Sequence, residues 1–105
     1  MTRRTRMVCL LAAVFGAAWI LTVQAQSTKV TRSIDHISGG LYKFTNKFHA
    51  SVFLVTDDGI IATDPINAAA ASWLKAEIDK RFGKPVKYVI YSHHHADHVS
   101  GGEVF

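Results

Sequence analysis

The sequence predicts an α/β domain, and three observations between residues 37 and 105 carry that prediction. Three short apolar runs with strand periodicity come first, at residues 41–45, 52–55 and 60–63. A stretch with apolar residues at helical spacing follows, through Ala71, Leu74, Ile78 and Phe82. A further apolar run at residues 88–91 then closes a strand–helix–strand unit.

Leu41-Tyr42-Lys43-Phe44-Thr45 alternates apolar and polar residues, as a half-buried strand should. Val52-Phe53-Leu54-Val55 and Ile60-Ile61-Ala62-Thr63 form the next two strands. Asp57-Asp58-Gly59 joins them, and an Asp-Gly step favours the positive φ of hairpin turns. Asp64-Pro65 ends the third strand, because proline has no N–H to give a ladder. Asn67 supplies a cap for a helix over residues 68–82, with Trp73 and Phe82 read as packing residues. Gly83 stops the helix and Pro85 prevents its continuation. Tyr88-Val89-Ile90-Tyr91 reads as a strand buried on both faces of a layered sheet. Gly101-Gly102 permits close backbone approach, with another helix expected to begin there. Parallel pairing of the third and fourth strands would put both carboxyl ends on one sheet edge, where ligand sites of such sheets form. Asp64 and the chain after residue 91 would meet there.

The first 25 residues read as a signal peptide. Arg3, Arg4 and Arg6 precede an apolar run over residues 7–23, and Val23-Gln24-Ala25 offers a cleavage site. Cleavage is placed after Ala25, giving an exported product, periplasmic or secreted. Left uncut, the same run would be the only membrane attachment, since it approaches the ~20 residues that span a bilayer. Arg3-Arg4 is a poor twin-arginine signal in its context. The leader carries three of the twelve Lys and Arg, so nine remain against eight Asp and Glu, a net of +1. No basic stripe interleaved with aromatics remains, so a nucleic-acid partner is not indicated. Cys9, the one cysteine, lies in the leader, which leaves no disulfide and no thiolate ligand in residues 26–105. The division expected is a leader over 1–25, a loose segment over 26–36 and a partial domain over 37–105. Nothing in the sequence speaks to oligomeric state.

The densest chemistry is Ser92-His93-His94-His95-Ala96-Asp97-His98, directly after the last strand and before the glycine pair. Imidazole nitrogens and carboxylate oxygens bind zinc at similar distances. Iron and manganese accept the same donors. In extended backbone, His93, His95 and Asp97 would point one way and converge. His98 would then address a neighbouring volume, with His94 a spacer, so that the loop could serve one or two ions. A bound divalent ion can lower the pKa of its water to about 7, and a pair of ions can also hold the leaving group. Asp97 is suited to ligate one ion while orienting the nucleophile. Asp64 is suited to hydrogen-bond a histidine's second nitrogen and fix its tautomer. His36 and His49 stand alone and read as surface or packing residues.

His93-x-His95-x-Asp97-His98, after a strand and before Gly101-Gly102, resembles the hallmark loop of the metallo-β-lactamase superfamily. The upstream order of strand, Asp-Gly turn, strand ending in Asp64, helix and strand is similar too. The resemblance implies the amino-terminal part of a four-layer αβ/βα sandwich, incomplete here, with one or two metals, usually zinc. By matching positions His93 and His95 would serve the first metal, and Asp97 and His98 the second, with Asp64 buttressing the loop. It also implies hydrolysis of a small-molecule ester, thioester, amide or lactam. The family's remaining ligands come from later in the chain, whereas this sequence ends at Phe105. Residues 26–105 alone are therefore expected to hydrolyse little. The alternative is a truncated, non-catalytic metal-binding fragment.

Overall fold

The computed structural model describes residues 29–105. The leader expected over 1–25 lies outside the described residues. One five-stranded sheet has the order β1-β2-β3-β4-β5, in which β1 is Arg32–Ser38, β2 Leu41–Asn46, β3 His49–Thr56, β4 Gly59–Thr63 and β5 Val86–Ile90. The first four strands form an antiparallel meander, and β5 pairs with β4 in parallel. Helix α1, Ala68–Phe82, makes the crossover between β4 and β5. A single helical turn, α2 over Ala96–Val99, and a 3-10 turn over Gly102–Val104 follow. Among the described residues no helix is long and apolar enough to cross a membrane.

Local chemistry accounts for most boundaries. Thr56 pairs with Gly59, whose φ of +141° closes the two-residue hairpin at Asp57-Asp58. Asn67 caps α1 by accepting the Ala70 amide at 2.8 Å. Gly83, left-handed at φ 60°, ends the helix and donates its amide to the Asp79 carbonyl.

Packing is one-sided. Phe44, Phe53, Ile60 and Ala62 on the inner sheet face meet Ala70, Leu74 and Ile78 of α1, all buried. Tyr42 stacks on Phe53 with centroids 5.2 Å apart, while Phe82 meets Tyr42 edge-on at 5.1 Å. Trp73 lies over Phe44 at 5.7 Å. The outer face carries the cross-strand row Leu41, Leu54, Ile61 and Tyr88, with Val52 and Ile90 beside it. Leu54, Tyr88 and Ile90 are exposed there.

Two expectations are corrected. Residues 32–36 are not a loose segment but belong to β1, so the ordered domain begins before residue 37. Polar residues such as Ser33 and Asp35 suit a sheet edge, and the strand is made by its pairing, with Ile34 opposite Phe44 and His36 opposite Tyr42. The Arg32 guanidinium ties its start to Asn46 Oδ1 at 2.7 Å. Strand β5 is also not buried on both faces: it is the other edge, and Tyr88 is 65% exposed.

Phe53→Ala should therefore cost about 3–5 kcal/mol, the usual range for emptying a buried aromatic site. Tyr88→Thr on the outer face should change stability by no more than about 0.5 kcal/mol. Denaturant titration of both variants checks this, and equal losses would show that the outer face is covered in solution.

Candidate metal centre

Three chain segments meet at the edge where β4 and β5 end. Because β3 runs antiparallel to β4, with Phe53 opposite Ala62, its beginning lies at this edge as well. Thr63 closes the edge by bonding both the amide and the carbonyl of Val52, at 3.0 and 2.8 Å. The Asp64 amide donates to the Ile90 carbonyl at 3.1 Å, which locks the end of β4 to that of β5. His49 opens β3, Asp64 follows β4, and the histidine loop follows β5.

Asp64 is the best-bonded side chain of the group and only 6% exposed. Its Oδ1 accepts the Ser92 amide at 2.8 Å. Its Oδ2 accepts the Ser92 hydroxyl at 2.6 Å and His98 Nδ1 at 3.1 Å. Burial alone would raise this carboxyl's pKa, but the Ser92 hydroxyl and amide and His98 together hold it below its ordinary value of 3.8.

The proton positions follow from that charge state. An ionised carboxylate only accepts, so Ser92 Oγ must donate its single proton to Asp64. Ser92 Oγ also lies 2.7 Å from His93 Nδ1, and there it must accept. His93 therefore carries its proton on Nδ1, and so does His98 through Asp64 itself. Both rings are left with a free lone pair on Nε2, the form in which imidazole binds a metal.

The loop reaches this arrangement by a route other than an extended run. Residues 92–94 bend, and His95 then begins a helical turn by accepting the amides of His98 and Val99 at 2.9 and 3.0 Å. His93 packs against His95 at 4.6 Å between ring centroids and against His98 at 4.2 Å. His94 borders only His95 among these rings, at 5.1 Å. Asp97, on the helical turn, points its carboxylate toward His49, whose Nε2 lies 3.0 Å from Oδ2. That hydrogen bond is the main reason Asp97 sits below its ordinary pKa.

The backbone around Asp64 is strained to fit. Asp64 and Ile66 adopt φ of +29° and +75°, the second costly for a β-branched residue. Ile66 is nevertheless buried, and its amide donates to the His98 carbonyl at 3.2 Å. Gly101 completes the seal at φ +90°, where a Cβ would lie 2.5 Å from the Ala68 nitrogen.

Donor atoms of Asp64, His93 and His98 all lie within 4.8 Å of one another, close enough to hold a metal ion. Asp64, however, already satisfies three donors, so it serves this cluster better as the anchor of the histidines than as a ligand. His98 Nε2 stands 3.9 Å from Asp97 Oδ2. Two ligands at about 2.1 Å from one tetrahedral ion would be roughly 3.4 Å apart, so this pair needs little movement to share an ion. His95 and Asp97 stand outside that three-residue group, but the donor types of the loop, three imidazoles and a carboxylate, suit zinc in chemistry. Two contributors escaped the sequence reading. Ser92 stood in the motif run without a role of its own, and His49 lies 48 residues from its partner.

Residues 63–105 match the family model of the metallo-beta-lactamase superfamily. The described fold is similar to a mutant of FEZ-1, a metallo-beta-lactamase from Legionella gormanii, with a TM-score of 0.59 and 32% sequence identity. That likeness covers 68% of this chain but 28% of the Legionella chain, so this sequence spans a little over a quarter of that relative. No curated protein sequence matches the chain significantly. The stretch from residue 63 to 105 belongs to the metallo-beta-lactamase superfamily, and the five-stranded sheet is part of that fold.

Asp64 gives a prediction in pH. Its folded pKa is depressed, so the native state binds fewer protons than the unfolded chain. Its stabilisation is complete above 3.8 and is lost as pH falls through the lower folded value. Asp64→Asn should cost about 1.5–3 kcal/mol near neutrality, the range for hydrogen bonds to a charged group. The deficit should shrink only below pH 3.8. Parallel stability curves for wild type and variant across that range would contradict the assignment.

Proposed function

We propose that this chain is the amino-terminal part of an exported metal-dependent hydrolase that acts on a small molecule through an ester, thioester, amide or lactam bond. The observation that carries the reading is the bonded chain from Asp64 through Ser92 to His93, and from Asp64 to His98. It fixes two neighbouring imidazoles in the metal-binding tautomer before any ion arrives, and a merely solvated polar loop has no reason to do so.

In this reading His93 and His95 hold one ion, and Asp97 and His98 hold a second or complete the first. Zinc suits the donors best, with iron and manganese chemically acceptable. When bound, the ion supplies Lewis-acid activation of water and of the scissile carbonyl. The protein's own part is positional. Asp64 and Ser92 leave the Nε2 lone pairs of both rings free for an ion, and Asp97 would accept a proton from the attacking water and orient it. The site opens to solvent along His93, His95 and Asp97, all exposed, so a substrate can approach from that side. The leader over 1–25 makes export part of the proposal, and terminal sequencing beginning at Gln26 would support it.

A second reading, metal binding without turnover, draws on the same exposure, because a site open to water gives a substrate's carbonyl little shielding. The two separate cleanly. Assayed on the full-length product, the hydrolase reading expects zinc uptake and turnover of an ester, thioester or lactam, with His93→Ala and Asp97→Ala each lowering kcat/KM at least about 100-fold. That exceeds the 10–100-fold typical of residues behind the ligands. Zinc uptake with no turnover across such a panel would favour the second reading, and no zinc uptake would sink both.

A further inference from the structure

Among the described residues, His49 is the one group outside the histidine loop and the Asp64 corner whose side chain enters the candidate centre. It opens β3 at the sheet's site edge, opposite Asn46 across the β2–β3 turn. Asn46 is buried and held by Arg32, so the root of this turn is fixed. From there the His49 ring meets His98 edge-on at 6.0 Å between centroids, and its Nε2 reaches Asp97 Oδ2 at 3.0 Å. A carboxylate offers no proton, so Nε2–H of His49 donates and the ring is held in the opposite tautomer to His93 and His98.

We propose that His49 is a positioning residue for Asp97, donating a hydrogen bond that sets its carboxylate against His98 Nε2 for shared metal binding. The proposal rests on the zinc-hydrolase reading given above. Asp97 needs such a partner. It stands on a helical turn of four residues, its side chain is 54% exposed, and among the described residues no bond beyond His49 joins it to another element. Left alone, its carboxylate would turn in solvent, and ordering it would be charged against metal affinity. His49 removes that freedom from a strand rather than from the loop, so the loop and the sheet are tied at both ends. Asp64 ties the histidines from β4, and His49 ties the carboxylate from β3. His49 is not placed as a ligand itself. Its Nε2–H is spent on Asp97.

The test uses the intact protein, with zinc alone as the probe, titrated against a chromophoric chelator. His49→Ala should lower affinity for one zinc ion by about 10–100-fold, the range found for partners standing behind metal ligands. His49→Gln, whose amide N–H can replace Nε2–H, should recover most of it. In the Asp97→Ala background, His49→Ala should add nothing further. A readout free of metal accompanies this: in the apo protein, nitrogen–proton correlation spectra should show His49 protonated on Nε2, with that signal moving in Asp97→Ala. Unchanged zinc affinity in His49→Ala would overturn the proposal. So would a full additional loss in the Asp97→Ala background, which would make His49 a ligand in its own right. Wild-type protein that takes up no zinc would instead remove the reading beneath the proposal, and the apo spectra would still report whether the His49–Asp97 bond exists.

Discussion

The arrangement depends on the Asp64 carboxylate. A nearly buried anion is costly unless its oxygens are satisfied, and here all of its recorded donors come from the loop it supports. The dependence is mutual. The Ser92 and His98 donors keep the carboxylate ionised, and the ionised carboxylate dictates which ring nitrogens carry protons. Strain at Asp64 and Ile66 is tolerated because several bonds over-determine this corner, including the Ile66 amide on the His98 carbonyl and the Asp64 amide on the Ile90 carbonyl. Loss of one tie would leave a strained backbone held by the remainder.

The scaffold serves this corner through two connections of different kinds. The crossover through α1 brings the ends of β4 and β5 together and so places Asp64 beside Ser92. The tight hairpin at Asp57-Asp58 brings the beginning of β3 to the same edge and so delivers His49. The helix contributes again at its start, since the backbone at Asn67 and Ala68 lies against Gly101 so closely that no side chain would fit. The helix that carries Leu74 and Ile78 therefore meets the end of the histidine loop through backbone contacts at its start.

Much of this was legible in the residues. The Asp-Gly turn, Asn67, Gly83 and the 3.6-residue spacing of Ala71, Leu74 and Ile78 gave the hairpin and the helix. The parallel pairing of β4 with β5 put Asp64 near the loop. What was not legible shares one physical cause, which is that it is set by partners distant in sequence. Strand β1 has little apolar pattern and exists through its ladder with β2. The turn at Ala96–Val99 is too short to leave a propensity signal, so an extended reading of residues 93–97 looked equally natural. Ser92 matters only because a carboxylate 28 residues away takes its proton. His49 looked solitary because its meaning lies in a strand register, although the hairpin already implied that β3 starts at the site edge.

The same geometry separates two tasks within the fold. Every bond that fixes the histidine tautomers and aims Asp97 runs between β3, β4 and the loop after β5, and none involves the outer face of the sheet. That face presents Leu54, Tyr88 and Ile90 to solvent, an apolar surface of the kind that marks an interaction site or a buried layer. The bonds that orient His93, Asp97 and His98, in contrast, all lie within residues 49–98. Changes on that face would leave these bonds in place, because the bonds lie at one edge of the sheet and the apolar surface on its outer face.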